Sequence, residues 1–207
     1  MLNSTNKYFQ NFNNFTLPKQ FSGCTLFVIP RSLLKLKTMN IHNCELSDIP
    51  AILELYEAAR NTQIQHNVVV WPYFEAAFVQ QEIEEGRQWK LVVNEQIVFN
   101  WAIAYTDKEI WGDRDQNDGI YIHRICNHPS FRGNGYIHTL VTWAKVHAKE
   151  HGKKYIRLDT LGNNKSLIKH YTSAGFEFLG IFELTDTASL PQHYQEEPNC
   201  CLFEMKL

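Results

Sequence analysis

Along the chain, stretches whose apolar residues recur every second position alternate with stretches that recur near every 3.6, and the order of these stretches predicts an architecture. Ile120 to Cys126 alternates as a strand, while Ile137, Leu140, Val141, Ala144 and Ala148 share one face of a helix that Gly152 would stop. Tyr155 to Thr160 alternates again, with Ile156, Leu158 and Thr160 on one side and Tyr155, Arg157 and Asp159 on the other. Strand, helix, strand implies a parallel pair joined by a crossover helix. A short helix from Ser166 to Ala174 follows, stopped by Gly175, and then strands from Phe178 to Leu184 and from Cys201 to Leu207.

Upstream, Asn40 to Leu46 reads as a strand, and Ser47 can cap a helix whose apolar face is Ile49, Ile52, Leu53 and Tyr56. Pro72 suits the first turn of a second helix, with Phe74, Ala77 and Phe78 inward and Gly86 at its end. Trp89 to Val93 and Ile97 to Tyr105 are strands joined by a tight turn at Asn94, Glu95 and Gln96, so they should pair antiparallel. Two stretches read as loops. Thr185 to Asn199 is polar, and Thr106 to Gly119 carries Asp107, Glu109, Asp113, Asp115 and Asp118 around Trp111. The plain reading of this acidic stretch is a solvated tip; the functional one is a rim that attracts a cationic amine.

Composition narrows the class. At 207 residues and 44% hydrophobic, the chain can bury one good core. A net charge of -2 argues against nucleic acid, and no apolar run reaches the length of a membrane span. Five cysteines without a Cys-x-x-Cys pair fit a reducing, cytoplasmic setting, and no metal is expected. His147 and His151, four apart on the helix, lack a third ligand and read as solvated surface. Residues 1–38 hold five basic residues and no Asp or Glu, with an Asn-rich start. They are expected to form a loosely held, dispensable extension ahead of a domain at 39–207.

The candidate chemistry sits where the strand from Ile120 meets the helix at Ile137. The connecting turn, His128-Pro-Ser-Phe-Arg-Gly-Asn-Gly135, bears glycines and feeds a helix N-terminus, where unpaired N–H groups and the helix dipole favour an anion such as phosphate. A glycine pair before a helix is equally what any tight turn needs.

The turn together with the later segment Asn164-Lys-Ser-Leu-Ile-Lys-His-Tyr171-Thr-Ser-Ala-Gly175-Phe176 resembles the GNAT acetyltransferase superfamily. Arg132-Gly-Asn-Gly135 matches the family's Arg/Gln-x-x-Gly-x-Gly/Ala acyl-CoA loop, with Ile137 where the family carries Gly or Ala. The resemblance implies an α/β (α+β) fold: a mixed, mostly antiparallel central sheet with one parallel splayed strand pair, flanked by about four helices. It implies acetyl transfer from acetyl-CoA to a primary amine of a small molecule or protein terminus, by direct attack in a ternary complex. The alternative is a non-catalytic acyl-CoA-binding regulatory module of the same fold. By the same resemblance Arg132, Gly133, Asn134, Gly135, Tyr136 and Ile137 would hold the pyrophosphate. Ile125, Asn127 and Asn164 would hold the pantetheine arm, and Tyr171 would be the general acid. Period-two alternation places Tyr121, His123, Ile125 and Asn127 on one strand face; the resemblance implies that a base comes from this face, so His123 is the candidate, against the plain reading of a half-buried histidine bonded to a neighbour. A homodimer would be unsurprising in such a protein.

Overall fold

The structure, a computed structural model, describes residues 38–207; the expectation for the preceding residues lies outside them. In chain order come β1 (Met39–Asn43), α1 (Ile49–Gln65), α2 (Ala76–Glu84), β2 (Gln88–Val93), β3 (Gln96–Ala104), α3 (Lys108–Trp111) and β4 (Gly119–Asn127). Then follow α4 (Tyr136–Glu150), β5 (Tyr155–Leu161), α5 (Lys165–Ser173), β6 (Glu177–Glu183), α6 (Gln192–Glu196) and β7 (Asn199–Lys206). All seven strands form one sheet in the order β1-β2-β3-β4-β5-β7-β6, antiparallel except for the parallel β4/β5 pair. None of the described helices is long and apolar enough to cross a membrane.

Helix α4 buries the face expected of it, with Leu140, Ala144 and Ala148 each no more than 1% exposed. It packs with α5 residue Tyr171 and the inward residues of β3, β4 and β5 in the main core. Each fully buried side chain such as Leu140 or Ile156 contributes about 1.5–3 kcal/mol. The opposite sheet face is covered at one end by α1 and α2, through Ile52, Leu55, Tyr56 and Val79, and at the other by α3 and the α6 region.

Four sequence expectations change. Helix α2 starts at Ala76 rather than near Pro72, and its inward residues are Val79 and Glu82, while Ala77 and Phe78 are exposed. The residue before α1 is Asp48, because Leu46–Asp48 forms a turn of 3-10 helix where Ser47 was expected to cap. The two supposed loops each hold a short helix, α3 and α6, so the described residues form six helices where about four were expected. Trp111 explains the first: it is buried against Tyr121 at 5.7 Å, which pulls the acidic stretch onto the sheet.

Strand β4 is where the sheet parts. It pairs with β5 only from Gly119↔Tyr155 to Ile122↔Leu158. Beyond that point β4 stays with β3 as far as Asn127↔Phe99, while β5 stays with β7 as far as Leu161↔Cys200. The divergence coincides with a bulge. Ala102 faces His123 and Asn100 faces Cys126, so Trp101 opposes two residues, Arg124 and Ile125. Arg124 has φ of 49°, a left-handed conformation unfavourable for a side-chain-bearing residue.

An ion pair holds Arg124 in that conformation. Its guanidinium meets Glu82 of α2 and lies 5.0 Å from the Phe78 ring. Glu82 is 2% exposed and also accepts from Arg87 at 2.7 Å and from Gln88 Nε2 at 2.7 Å. Removing one partner of a buried pair leaves an uncompensated charge, which costs about 3–5 kcal/mol. Glu82→Ala is therefore expected to lower unfolding free energy by about that amount in urea denaturation; a loss under about 1 kcal/mol would show that the pair does not secure the bulge.

Candidate active site

A cleft of about 730 Å³ runs along the gap between β4 and β5. At one end lie Arg132, Thr62 and His66; at the other lie His123, Asp159 and Tyr194, with Tyr171 and Asn164 along its side. The α1–α2 connection supplies an aromatic wall that includes Trp71, Tyr73 and Phe74.

At the first end the turn before α4 adopts the conformation its glycines allow. Gly133 and Gly135 have φ of 79° and 71°, which L side chains rarely adopt. Among the described residues, no acceptor meets the backbone N–H groups of Gly133, Asn134, Gly135, Tyr136 or Ile137. That leaves a row of donors at a helix N-terminus, the arrangement that binds phosphate. Asn134 Nδ2 ties the turn back to the Phe131 carbonyl at 2.8 Å, and Arg132 reaches across to Thr62 Oγ1 at 2.6 Å. Ile137 is 5% exposed and packed in the core beneath, so its branched side chain turns away from those N–H groups.

Along the side, Asn164 Oδ1 caps α5 by accepting from Ser166 N and Leu167 N, each at 3.1 Å. Its Nδ2 meets no acceptor among the described residues. Tyr171 is 8% exposed, edge-on to Phe176 and tilted on Phe203, and burial pushes its phenol above the ordinary range.

The bulge overturns one expectation. Tyr121 and His123 do not share a face with Ile125 and Asn127, because the extra residue at Arg124 inverts the alternation after it. Ile125 packs with Ile120 and Ile122 on the α4 side, and Tyr121 lies in the cluster with α3 on the other. His123 thus lies on the other sheet face from Ile125 and Asn127, although all three line the one cleft that runs through the splay, and it stands at the apex.

His123 and Asp159 are the first residues past the last β4/β5 pair, and they face each other there: Nδ1 lies 3.8 Å from Asp159 Oδ1. The other ring nitrogen, Nε2, lies 3.6 Å from Asp107 Oδ2. Asp159 Oδ2 accepts from Tyr194 Oη at 3.1 Å. The donor atoms of Asp107, His123 and Asp159 lie within 4.8 Å of one another, a set that could also ligate a divalent cation.

Comparison with known proteins agrees with this geometry. The model of the "Acetyltransferase (GNAT) family" matches residues 65–176, more than half of the chain. The chain belongs to the GNAT acetyltransferase family. An uncharacterized N-acetyltransferase, YesJ of Bacillus subtilis (strain 168), is 32% identical over 74 residues, a stretch covering 36% of this chain and 41% of that protein. Among solved structures, a GNAT-family acetyltransferase from Listeria monocytogenes 4b F2365 superposes with a TM-score of 0.66 at 20% identity, over 82% of this chain and 95% of that one. The putative acetyltransferase yncA from Salmonella typhimurium, solved with acetyl-CoA, gives 0.57 at 15% identity, over 82% and 94%. Those likenesses establish the shared GNAT fold.

Within this GNAT domain, three site residues escaped the sequence reading. Asp159 counted only as an outward strand position, Asp107 only as one loop acid of five, and Tyr194 lay in a supposed polar loop. Asp107 is delivered by Asp115, which accepts from Thr106 Oγ1 at 2.6 Å, Asp107 N at 2.8 Å and Asn117 N at 3.0 Å. Burial opposes ionisation of Asp115, but those bonds hold its carboxyl at about 2. The expected surface histidine His147 is likewise 7% exposed, stacked on Trp143 and bonded to Tyr105 Oη at 2.9 Å.

Electrostatics at the apex follow from burial. Burial first, then the neighbouring carboxylates led by Asp159, pushes Asp107 up to about 8. Burial also raises Asp159, whose side chain is 4% exposed, and lowers His123 to about 3. Because the folded state binds the Asp107 proton between about pH 4 and pH 8 and the unfolded state does not, this group makes stability fall as pH rises through that window. Asp107→Asn should therefore be more stable than wild type at pH 8, with the difference vanishing near pH 4, as read from paired urea titrations; a pH-independent difference would contradict the assignment.

Proposed function

We propose that the protein transfers an acetyl group from acetyl-CoA to a primary amine, with both bound together in the cleft. The observation that carries this reading is the convergence on one gap of a buried phenol, the His123–Asp159 pair and Arg132, which leads into the turn whose five N–H groups meet no acceptor among the described residues. The N–H row from Gly133 to Ile137, with the Arg132 charge, would hold the pyrophosphate. The main chain of β4 from Ile125 to Asn127, free of β5, would pair with the pantetheine amides as a strand would. Asn164 Nδ2 would meet the same arm.

The thioester would then lie at the apex, between Tyr171 and His123. A protonated amine with pKa near ~10.4 carries no free lone pair, so a proton must leave first. Burial keeps His123 neutral with a lone pair available, and Asp159 Oδ1, 3.8 Å from its Nδ1, is the oxygen that would meet the imidazolium once it forms. The amine nitrogen attacks the carbonyl carbon, the C–N bond forms and the C–S bond breaks. Tyr171 gives its proton to the departing sulfur and regains one from the new amide nitrogen. The products are an amide, the free thiol and one proton passed through His123 to solvent. Because burial raises the phenol, Tyr171 stays protonated at neutral pH and can act as the donor.

Tyr171→Phe should lower the rate of thiol release by about 10²–10⁴-fold while leaving acetyl-CoA binding nearly intact. That binding is checked by thermal shift, since a ligand at about 100 times its Kd adds ~2.7 kcal/mol. Equal release by variant and wild type would remove the acid role, and a wild type that binds acetyl-CoA without turning over any amine would favour the regulatory-module alternative.

A further inference from the structure

The apex of the cleft combines features that together select an acceptor. Asp159 is 96% buried as a side chain, since 4% is exposed, and only its Oδ2 is engaged, by Tyr194 Oη and the Cys200 thiol. Its Oδ1 has no hydrogen-bond partner among the described residues, and the residue lines the cleft. Asp107 Oδ2 is likewise buried and unpartnered, behind the His123 ring. Two carboxyls and an imidazole therefore form a row whose cleft end is an unused acceptor oxygen, in surroundings dry enough to strengthen any charge it meets.

The rest of the cleft adds an asymmetry. Its basic side chains are His66, His123, Arg124, Arg132 and His193. Arg132 and His66 both adjoin Thr62 at the far end, and Arg124 is committed to Glu82. Burial lowers His193 to about 4, which leaves it uncharged at neutral pH. Nothing cationic among the described residues is thus free near Asp159 to receive a substrate carboxylate. Approach to the apex runs past Trp71, Phe74 and the Tyr194 ring, surfaces suited to an apolar or aromatic body and to the face of a cation.

We propose that Asp159, with His123 and Asp107 behind it, docks the ammonium group of the acceptor, and that the acceptor is a small primary amine with an apolar or aromatic body and no carboxylate. This rests on the acetyl-transfer reading and names the substrate class at that same site. The ammonium hydrogen-bonds to Asp159 Oδ1, which holds it beside His123, the group that takes the proton leaving before attack. An α-carboxylate on the same carbon would be brought against Asp159, and two like charges at such range in a partly buried site disfavour binding strongly. A divalent cation fits the same three residues less well, because Nδ1 of the imidazole faces one carboxylate and Nε2 the other, whereas one ion can use only one ring nitrogen.

The test uses matched acceptors that differ only by a carboxylate: phenethylamine against phenylalanine, tyramine against tyrosine, cadaverine against lysine. Thiol release from acetyl-CoA is followed with the full chain, with and without a chelator. The expected result is a kcat/KM at least about 100-fold higher for the carboxylate-free member of an accepted pair, unaffected by the chelator. Asp159→Asn should lose at least about 100-fold in kcat/KM for the amine while retaining the wild-type acetyl-CoA thermal shift. Equal or better turnover of the amino acids, undiminished amine turnover in Asp159→Asn, or activity that needs a divalent cation would overturn the inference and leave acetyl transfer standing. So would rejection of every carboxylate-free amine by a protein that acetylates peptides. Absence of any acetyl-CoA thermal shift would overturn both. Should the variant fail to fold, the matched pairs on wild type decide the matter.

Discussion

The ion pair between Arg124 and Glu82 is the constraint on which the site depends. A strand continuing flat past Ile122 would have closed its ladder on β5 and left no gap. Instead one extra residue turns β4 toward β3, and that residue must hold a φ of 49°. Such a conformation persists only when its surroundings over-determine it. Here they are a carboxylate on α2, an arginine and a glutamine sharing that carboxylate, and the Phe74 and Phe78 rings near the guanidinium. Helix α2 therefore props the sheet open, although it contributes few residues to the cleft.

The opened gap has two chemically opposite ends. Toward α4 the backbone offers N–H groups, the helix dipole and Arg132, all suited to negative charge. Toward α3 and α6 it offers the Asp159 carboxyl, suited to positive charge. The distinction arises from which structural groups reach each end. A helix begins at the first, whereas at the second two short helices press acidic and phenolic side chains onto the ends of paired strands. An anionic carrier and a cationic acceptor would then enter in one orientation each, with the thioester meeting the amine at the apex.

Much of this could be read from the residues. The glycines at 133 and 135, followed by the apolar stripe from Ile137 to Ala148, give both the turn and the helix, because left-handed backbone and one-face burial leave direct marks on composition. The spacing from Asn164 to Tyr171 and Gly175 carries the α5 reading for the same reason. The bulge left no such mark. Arg124 is neither Gly nor Asn, so its positive φ is imposed by tertiary contacts with residues some 40 positions away, and period-two counting through it put Ile125 and Asn127 on the wrong face. The acidic residues at the apex were hidden differently. Asp107 and Asp159 are 52 positions apart, and only the burial of Trp111 and the short turn of α6 bring their neighbourhoods together. Glu82 was hidden by type, since a charged residue on a helix is usually assigned to water.

The central claim is that the bulge-opened gap and the turn before α4 receive one continuous ligand. Backbone hydrogen exchange with and without acetyl-CoA addresses it most directly. The account predicts strong slowing on ligand addition at the amides of residues 133–137 and at β4 positions 125–127, with smaller changes on the β1 edge. Slowing absent from both segments, or confined to a surface elsewhere, would contradict it.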